Sequence, residues 1–471
     1  MSTEKTTMQG MTKGVQTLMG DPKKAIIQLS LPMIAALSLN SLYNFVDRLW
    51  VSSLGENALA ATGFFMPFFF LAMAVATGIG VGGGAVVSRR IGAKDKTGAE
   101  SAALHTILFS VLAAVLFTVP LIFLSPFIFR LMGASNSLND ATSYGTIMFS
   151  GIIFLFFGNT ANSLLRSEGN AKKAMGAMVV GTVLNIFLDP LFIYGFNMGV
   201  AGAAVATVIS MAVSALLLLY WLFVEKKSYL AFDPRAFRFE KKTAKEIWVI
   251  GFPTILSQGS MSIMMFFIVM ILNSIADDRA IAVFTAGWTI VAFAVLPVLG
   301  IATAVISVTA AAFGAKDYRK ARTAFSFSFT IGLCIEIVIA AFTLLAAPVI
   351  ALMFALSPET ALLVDDITIF FRTIWLYFPV AAGGIISQSL FQGIRMPFKG
   401  LTVTLLRTVI FTLFFAWLFG IALGYGVRGV YAGMVAATIS SSIIGVAWAW
   451  MSINSLMSKT GVKIEPITEN E

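Results

Sequence analysis

Long stretches without charge alternate with short charged clusters along the whole chain. The uncharged stretches cover 57–88, 101–129, 141–165, 247–276, 280–315 and 429–458. Each is longer than the roughly 20 apolar residues that a helix needs to cross a bilayer. The stretch 174–224 contains one charge, Asp189, and the turn-rich residues 194–202 divide it into two spans. Together with 25–52, 323–352, 367–393 and 401–422, the pattern predicts twelve transmembrane helices.

Composition excludes the soluble classes of protein. Of the 471 residues, 58% are hydrophobic and only 12% are charged, whereas about 25% of the residues in an average soluble chain are charged. One His and one Cys leave no cluster for metal-assisted hydrolysis, so we predict no enzyme and no cofactor. The glycine-rich segment 78–84 lies inside a predicted span, where it favours close helix packing over phosphate binding.

The distribution of Lys and Arg predicts the orientation of the chain. Of the 32 basic residues, 26 fall in segments that share one side if both termini are cytoplasmic. Only Arg130, Arg279 and Arg428 fall in the opposite loops, and cytoplasmic loops carry the excess of positive charge. The net charge of +9 is therefore a topology signal rather than a sign of nucleic-acid binding. We predict a multi-pass protein of the cell (inner or plasma) membrane, with the lipid bilayer as its surroundings.

Internal repeats divide the chain into two halves. IGAKDKTGA at 91–99 recurs as FGAKDYRKA at 313–321, and GVAGAAVATVIS at 199–210 resembles the segment 426–440. Duplicated halves are common in transporters, and six helices per half give a parallel repeat. We therefore predict an N-terminal segment 1–24, a six-helix lobe 25–224, a cytoplasmic linker 225–245, a second lobe 246–453 and a cytoplasmic tail 454–471. An all-α protein of two six-helix bundles around a central V-shaped cleft is the expected architecture.

The same features carry a resemblance to a known family. The repeat, the SLP opening at 30–32, the string at 40–63, the GAKD segments and the string at 184–207 are similar to the multidrug and toxic compound extrusion (MATE) family of cation-coupled efflux transporters, most of all its prokaryotic DinF-like branch. The resemblance covers roughly 20–455. It implies a cation site at the positions of Asp47, Asn185, Asp189 and Thr207, and a helix bend at Pro32.

The acids inside the spans point independently to that site. Only Asp47, Asp189 and Glu336 lie deep within predicted spans, where a charge costs roughly 3 kcal/mol or more and so suggests function. At about 1.5 Å of rise per residue, Asp47, Asp189 and Thr207 each lie about 9–10 Å below the outer surface. Asn185 precedes Asp189 by four residues and shares its helix face.

Two carboxylates, an amide and a hydroxyl suit either H⁺ or a metal ion such as Na⁺, and the residues alone do not choose. The structural alternative is that Asp189 marks an Asp-Pro helix end and that Asp47 pairs with Arg48. Glu336 is expected to be a substrate counter-ion, a helix–helix contact or a partner of Arg407.

The second half lacks the acids of the first. The repeat places Val269 opposite Asp47, and the region around 416 that corresponds to Asp189 contains no acid. Some branches of the family place coupling acids in the seventh and tenth helices, where this chain offers Gln258 and Gln388 instead. Ion coupling is therefore predicted to be asymmetric.

The predicted function is secondary active export of lipophilic organic cations in exchange for H⁺ or Na⁺. Met and aromatic side chains suit adaptable binding of such substrates, although most should face lipid or pack between helices. The candidate substrate contacts are Tyr43, Gln258, Met261, Met265 and Gln388. The alternatives are a flippase or exporter of lipid-linked substrates and, from another class, a channel or receptor-like scaffold. We expect a monomer, because one chain already contains both halves.

Overall fold

The computed structural model describes residues 12–52, 54, 56–132, 138–225, 228–230, 237–276, 278–353 and 362–458. This part of the chain is helical and contains no strand. The predicted tail residues 459–471 lie outside it. Eleven of its helices are long and apolar enough to cross a membrane, and a bent helix pair makes a twelfth if it is one span. The prediction of an all-helical protein with twelve spans is confirmed.

Spans one to six follow a short helix, Lys13–Met19. Their helices are Pro22–Ser52, Glu56–Gly92, Lys96–Leu131, Leu138–Ser167, Ala171–Pro190 and Gly199–Leu219. Span five continues through a π-helical turn, Leu191–Gly195, before span six begins at Gly199. The division that residues 194–202 predict is therefore present.

Spans seven to twelve are interrupted more often. Their helices are Lys241–Ile275, Asp278–Ala294 with Leu296–Gly314, Tyr318–Leu345 with Ala347–Leu352, Val364–Ile374 with Tyr377–Gly393, Pro397–Leu405 with Phe411–Trp417, and Gly426–Ser458. The segments 280–315, 323–352 and 367–393, each predicted as one span, each contain two helices. Pro297 and Pro348 stand in the first turn of the helix that follows each break, where a missing N–H is tolerated. Span ten bends by 51° between its two helices.

The repeated GAKD segments form the same turn twice. Lys94 and Lys316 have φ of 60° and 58°. The following acids, Asp95 and Asp317, then cap spans three and nine, because each side chain accepts from a backbone N–H at 2.9 Å. The internal repeat that the sequence predicts is therefore a repeat of structure.

The turn between spans five and six shows a second repeated feature. The N–H of Met198 donates to the carbonyl of Phe192, and the N–H of Tyr425 donates to that of Phe419 at the matching place in the other half. Gly199 and Gly426 have φ of 58° and 60°, a left-handed conformation that glycine adopts without steric cost. These turns connect each fifth helix of a half closely to its sixth.

Backbone contacts divide the chain into two compact units. One comprises residues 1–20 and 28–255, and the other comprises 21–27 and 256–471. The division falls inside span seven, so the first turns of that helix belong with spans two to six. In the first unit, Phe65, Phe129, Phe149 and Phe156 are buried at the centre of an apolar cluster.

Large apolar side chains also cover the outer faces of the helices. Phe123 on span three is 78% exposed and Leu345 on span nine is 81% exposed. Water-soluble proteins rarely expose contiguous apolar surface of this kind. These faces are suited to lipid.

Candidate cation-binding site

Asn185, Asp189 and Thr207 converge between spans five and six. The exposed fraction is 2% for Asn185, 0% for Asp189 and 9% for Thr207. The Nδ2 atom of Asn185 donates to Oδ1 of Asp189 at 3.2 Å and lies 3.4 Å from Oγ1 of Thr207. The four-residue spacing of Asn185 and Asp189 thus brings two side chains together on one helix face.

Span one supplies Asp47 to the same place. Its carboxyl group is partly buried and hydrogen bonds to that of Asp189. One turn further along span one, the Trp50 carbonyl accepts from the Tyr194 hydroxyl at 3.3 Å, and the two rings lie 6.1 Å apart. The C-terminal ends of spans one and five are therefore in contact, which holds Asp47 beside Asp189.

Tyr144 is a residue of this site that the sequence analysis missed. It lies on span four, is buried, and interacts electrostatically with both Asp47 and Asp189. Its ring packs 5.5 Å from that of Phe65. Six residues separate Tyr144 from the start of its helix at Leu138, so its depth is about 9 Å, equal to that of the two acids. Its helical position therefore carries the signal that could have found it.

The arrangement brings side-chain oxygen atoms of Asp47, Asn185, Asp189 and Thr207 close together. A hydrogen bond between two carboxyl groups requires one proton, because an ionised carboxylate only accepts. Oδ1 of Asn185 is buried without a hydrogen-bond partner among the described residues. The described residues contain no cluster of three or more His, Cys, Asp or Glu. The chemistry therefore suits H⁺ or a hard monovalent ion bound by oxygen.

The first part of the structural alternative, a helix end at Asp189, does not fit the structure. The helix of span five includes both Asp189 and Pro190 and then continues as a π-helical turn, so Asp189 does not mark its end. Asp47 interacts with Asp189. The side chain of Arg48 lies outside the described residues.

Pro32 lies inside the continuous helix of span one. Proline has no N–H, so its position leaves the carbonyl of Gln28 without the usual intrahelical donor. Such a position weakens a helix locally and is a common cause of kinks.

Three of the predicted substrate contacts share one face of span seven. Gln258, Met261 and Met265 are spaced three and four residues apart, and Gln258 and Met261 are exposed. Met265 lines a pocket of about 410 Å³. Gln388 is half-buried on span ten and packs against Gly400. The side chain of Tyr43 lies outside the described residues, and the role of all five residues stays a prediction.

The second half has no matching pair of acids. Val269, which the repeat aligns with Asp47, lines the pocket beside Met265. Glu336 is fully buried, and neither of its carboxyl oxygens has a hydrogen-bond partner within the described ranges. Tyr377 is in electrostatic range of both Glu336 and Arg407.

The fold and the site together define a polytopic helical membrane protein with a buried, oxygen-rich acid pair. A family model described as MatE matches residues 32–191 and 253–418, one segment in each half. The chain therefore belongs to the MatE family, the multidrug and toxic compound extrusion (MATE) transporters, which is a family of transporters and not of enzymes.

Known relatives agree over most of the chain. The chain is 28% identical over 292 residues to the multidrug export protein MepA of Staphylococcus saprophyticus subsp. saprophyticus, covering 61% of this chain and 64% of that protein. The matched part of this chain thus covers less than two thirds of the length of that relative. A crystal structure of MATE in complex with MaL6 has 39% identity and a TM-score of 0.93, covering 95% of this chain and 100% of the other. MATE in the bent conformation has 39% identity and a TM-score of 0.91, covering 96% and 100%.

Proposed function

We propose that this protein is a secondary active antiporter that exports lipophilic organic cations in exchange for H⁺. The observation that carries the proposal is the hydrogen bond between the carboxyl groups of Asp47 and Asp189. Two buried carboxylates side by side are strongly unfavourable, and a shared proton removes that cost. Na⁺, which the same oxygens would accept, is the alternative that the experiment below distinguishes.

Coupling requires that ion and substrate exclude each other. Protonation of both Asp47 and Asp189 removes the negative charges that attract an organic cation. We propose that the neutral pair allows span one to bend at Pro32, where the helix lacks one hydrogen bond, and that this bend displaces the substrate. The existence of a similar protein described in a bent conformation supports this mechanism.

The substrate class rests on two kinds of support. The first is the relative described as a multidrug export protein. The second is the adaptable face of Gln258, Met261 and Met265 on span seven, where the first two side chains are exposed and the third is half-buried. We propose that the transporter is a monomer in the cell membrane with both termini in the cytoplasm.

A liposome assay tests the coupling ion. Purified protein is reconstituted into liposomes loaded with a fluorescent lipophilic cation, and a pH gradient or a Na⁺ gradient is applied in separate experiments. We expect the pH gradient alone to drive dye movement. Asp47→Asn and Asp189→Asn should reduce this movement to the level of empty liposomes, because an amide cannot exchange a proton at these pH values.

Glu168→Gln is the matched control, since it removes a buried carboxyl group that lies outside the proposed site. It should retain proton-driven transport. If only the Na⁺ gradient drives dye movement, the coupling ion is Na⁺ and not H⁺. Failure of both gradients, or wild-type transport by both Asp variants, would overturn it.

A further inference from the structure

His105, the single histidine, is fully buried near the predicted cytoplasmic end of span three. Its Nδ1 lies 2.7 Å from the carbonyl oxygen of Ser101. Its Nε2 accepts from the backbone N–H of Glu240 at 2.8 Å. The rings of Phe237 and Phe239 lie 4.9 and 5.3 Å from the imidazole. The histidine therefore anchors the end of the linker that connects the two halves of the chain.

The two hydrogen bonds select one protonation state. A carbonyl only accepts, so Nδ1 carries a hydrogen, and a backbone N–H only donates, so Nε2 carries a lone pair. This is the neutral imidazole with its proton on Nδ1. A second proton, on Nε2, would face the Glu240 N–H and abolish that hydrogen bond.

The anchored residue is the N-cap of span seven. The carbonyl of Glu240 accepts the first helical bond, from Ala244, and its carboxylate accepts from the Thr243 hydroxyl at 2.7 Å. In a capping box, a side chain three residues further on would accept the N-cap N–H. Here Thr243 donates instead of accepting, and His105 from another helix takes the N-cap N–H.

Span two also contacts the start of span seven. Arg89 and Glu246 form an ion pair at 2.6 Å, and Arg90 donates to Thr243 at 3.0 Å. One turn further along span seven, a Cβ atom at Gly82 would lie 2.5 Å from the carbonyl oxygen of Ile247. The start of span seven is therefore fastened to spans two and three.

We propose that His105 is a positioning residue that clamps the first turn of span seven in its neutral form and releases that turn when it is protonated. Span seven leads from the first compact unit into the second. A clamp on its first turn controls how freely this connecting helix moves. The inference concerns the fastening of span seven and does not depend on which ion drives transport.

The acids on the elements around His105 already have partners among the described residues, and that of Glu100 is Lys96 at 3.9 Å. The charged groups on the neighbouring elements are those of Arg89 and Arg90 on span two, Glu100 on the helix of His105, Arg238 and Glu240 in the linker, and Lys241, Lys242, Lys245 and Glu246 on span seven. Glu246 pairs with Arg89 and Arg90, and Glu240 accepts from Thr243. Within the described ranges, the ring nitrogens bond only to Ser101 and Glu240.

Hydrogen exchange at the Glu240 amide tests the clamp directly. The full-length protein in lipid nanodiscs is exchanged at pH 8 and pH 5, with exchange times adjusted for the intrinsic pH dependence, and peptides covering 237–250 are analysed by mass spectrometry. We expect this amide to be protected at pH 8 and to exchange at least tenfold faster, after correction, at pH 5. Peptides covering 261–275 serve as the internal control and should not change.

Two variants separate the acceptor from the packing. His105→Gln places an amide oxygen near the position of Nε2 and should protect the amide equally at both pH values. His105→Phe keeps an aromatic ring without an acceptor and should leave the amide unprotected at both. The proposal is overturned if wild-type protection is the same at pH 8 and pH 5, or if His105→Phe protects the amide as wild type does. The wild-type comparison alone decides the question if a variant does not fold.

Discussion

Glu168 is a carboxyl group that the fold buries directly after the end of span four at Ser167. It accepts from the Ser228 hydroxyl at 2.7 Å and from the Tyr229 N–H at 2.9 Å. Burial raises the pKa of this carboxyl above its ordinary value, although the hydrogen bonds and nearby Lys173 oppose the effect. The folded protein therefore retains the Glu168 proton to a higher pH than the unfolded chain does.

The stability that this proton contributes should depend on pH. It is fully present below the unfolded pKa, about 4.3 for glutamate, and is lost as the pH rises through the raised folded pKa, by at most about 1.4 kcal/mol per pH unit. Glu168→Gln is permanently neutral. In thermal unfolding from pH 4 to pH 8, wild type should lose stability relative to Glu168→Gln, and the two should agree at the acidic end. A difference that is constant with pH, or that grows in favour of wild type, would contradict the expected direction.

Much of the candidate site could be predicted because depth in a membrane follows from counting residues along a helix. Asp47, Asp189 and Thr207 were placed at one depth by this count, and the structure brings Asp189 into contact with Asp47 and, through Asn185, with Thr207. Tyr144 lies at the same depth on span four, but it is uncharged and no sequence motif connects it to the two acids. The role of His105 could not be predicted, since its partner is a backbone N–H 135 residues away and carries no sequence signal.

At the scale of helices, the glycine-rich segment of span two allows this helix to pack closely against span seven. Gly82 faces the backbone of span seven, where an added Cβ would lie 2.5 Å from the carbonyl oxygen of Ile247 and 3.0 Å from the nitrogen of Gly251. Gly158, inside span four, has no atom within 4 Å of its Cβ position. The close packing that the sequence favoured for this segment is therefore present. A phosphate-binding role has no support here.

These two glycines make a matched pair for a stability test. In a helix interior, Gly→Ala is worth about 1 kcal/mol in favour of alanine when space is free. Gly158→Ala should therefore be neutral or stabilising, whereas Gly82→Ala should destabilise by about 1–3 kcal/mol because backbone atoms must shift. Thermal unfolding of the purified protein in detergent or nanodiscs measures both. Equal effects of the two substitutions would show that the contact between spans two and seven is not tight.

The breaks in the helices were harder to predict than the helices themselves. Apolar length is a reliable signal for a span, because nothing but a helix or a closed barrel satisfies the backbone inside lipid. A proline in that sequence does not decide whether the helix breaks. Pro32 lies within an unbroken helix, yet Pro297 and Pro348 follow breaks. Contacts with neighbouring helices decide whether a helix breaks at a proline. These contacts cannot be identified from the sequence alone.

Over the whole molecule, the two halves repeat the structure and not the chemistry. The turns at Lys94 and Lys316, and those at Gly199 and Gly426, have nearly equal φ values in the two halves. The acids of the first half, Asp47 and Asp189, have no equivalent in the second. A duplicated scaffold with one acidic site is consistent with ion binding in the first half alone, as the proposed function requires.

The orientation of the whole molecule follows from charge and can be measured. The basic residues predict cytoplasmic termini, which places Lys23 inside the cell and Arg428 outside it. Both side chains are exposed, and the chain has a single cysteine, Cys334, to remove. In a Cys334→Ala background, Arg428→Cys should react with a membrane-impermeant maleimide on intact cells, whereas Lys23→Cys should react only after permeabilisation. If only Lys23→Cys is labelled on intact cells, the topology is the opposite of the predicted one. It would then place Asp47 and Asp189 near the cytoplasmic surface, where an inwardly directed proton gradient could not load them first.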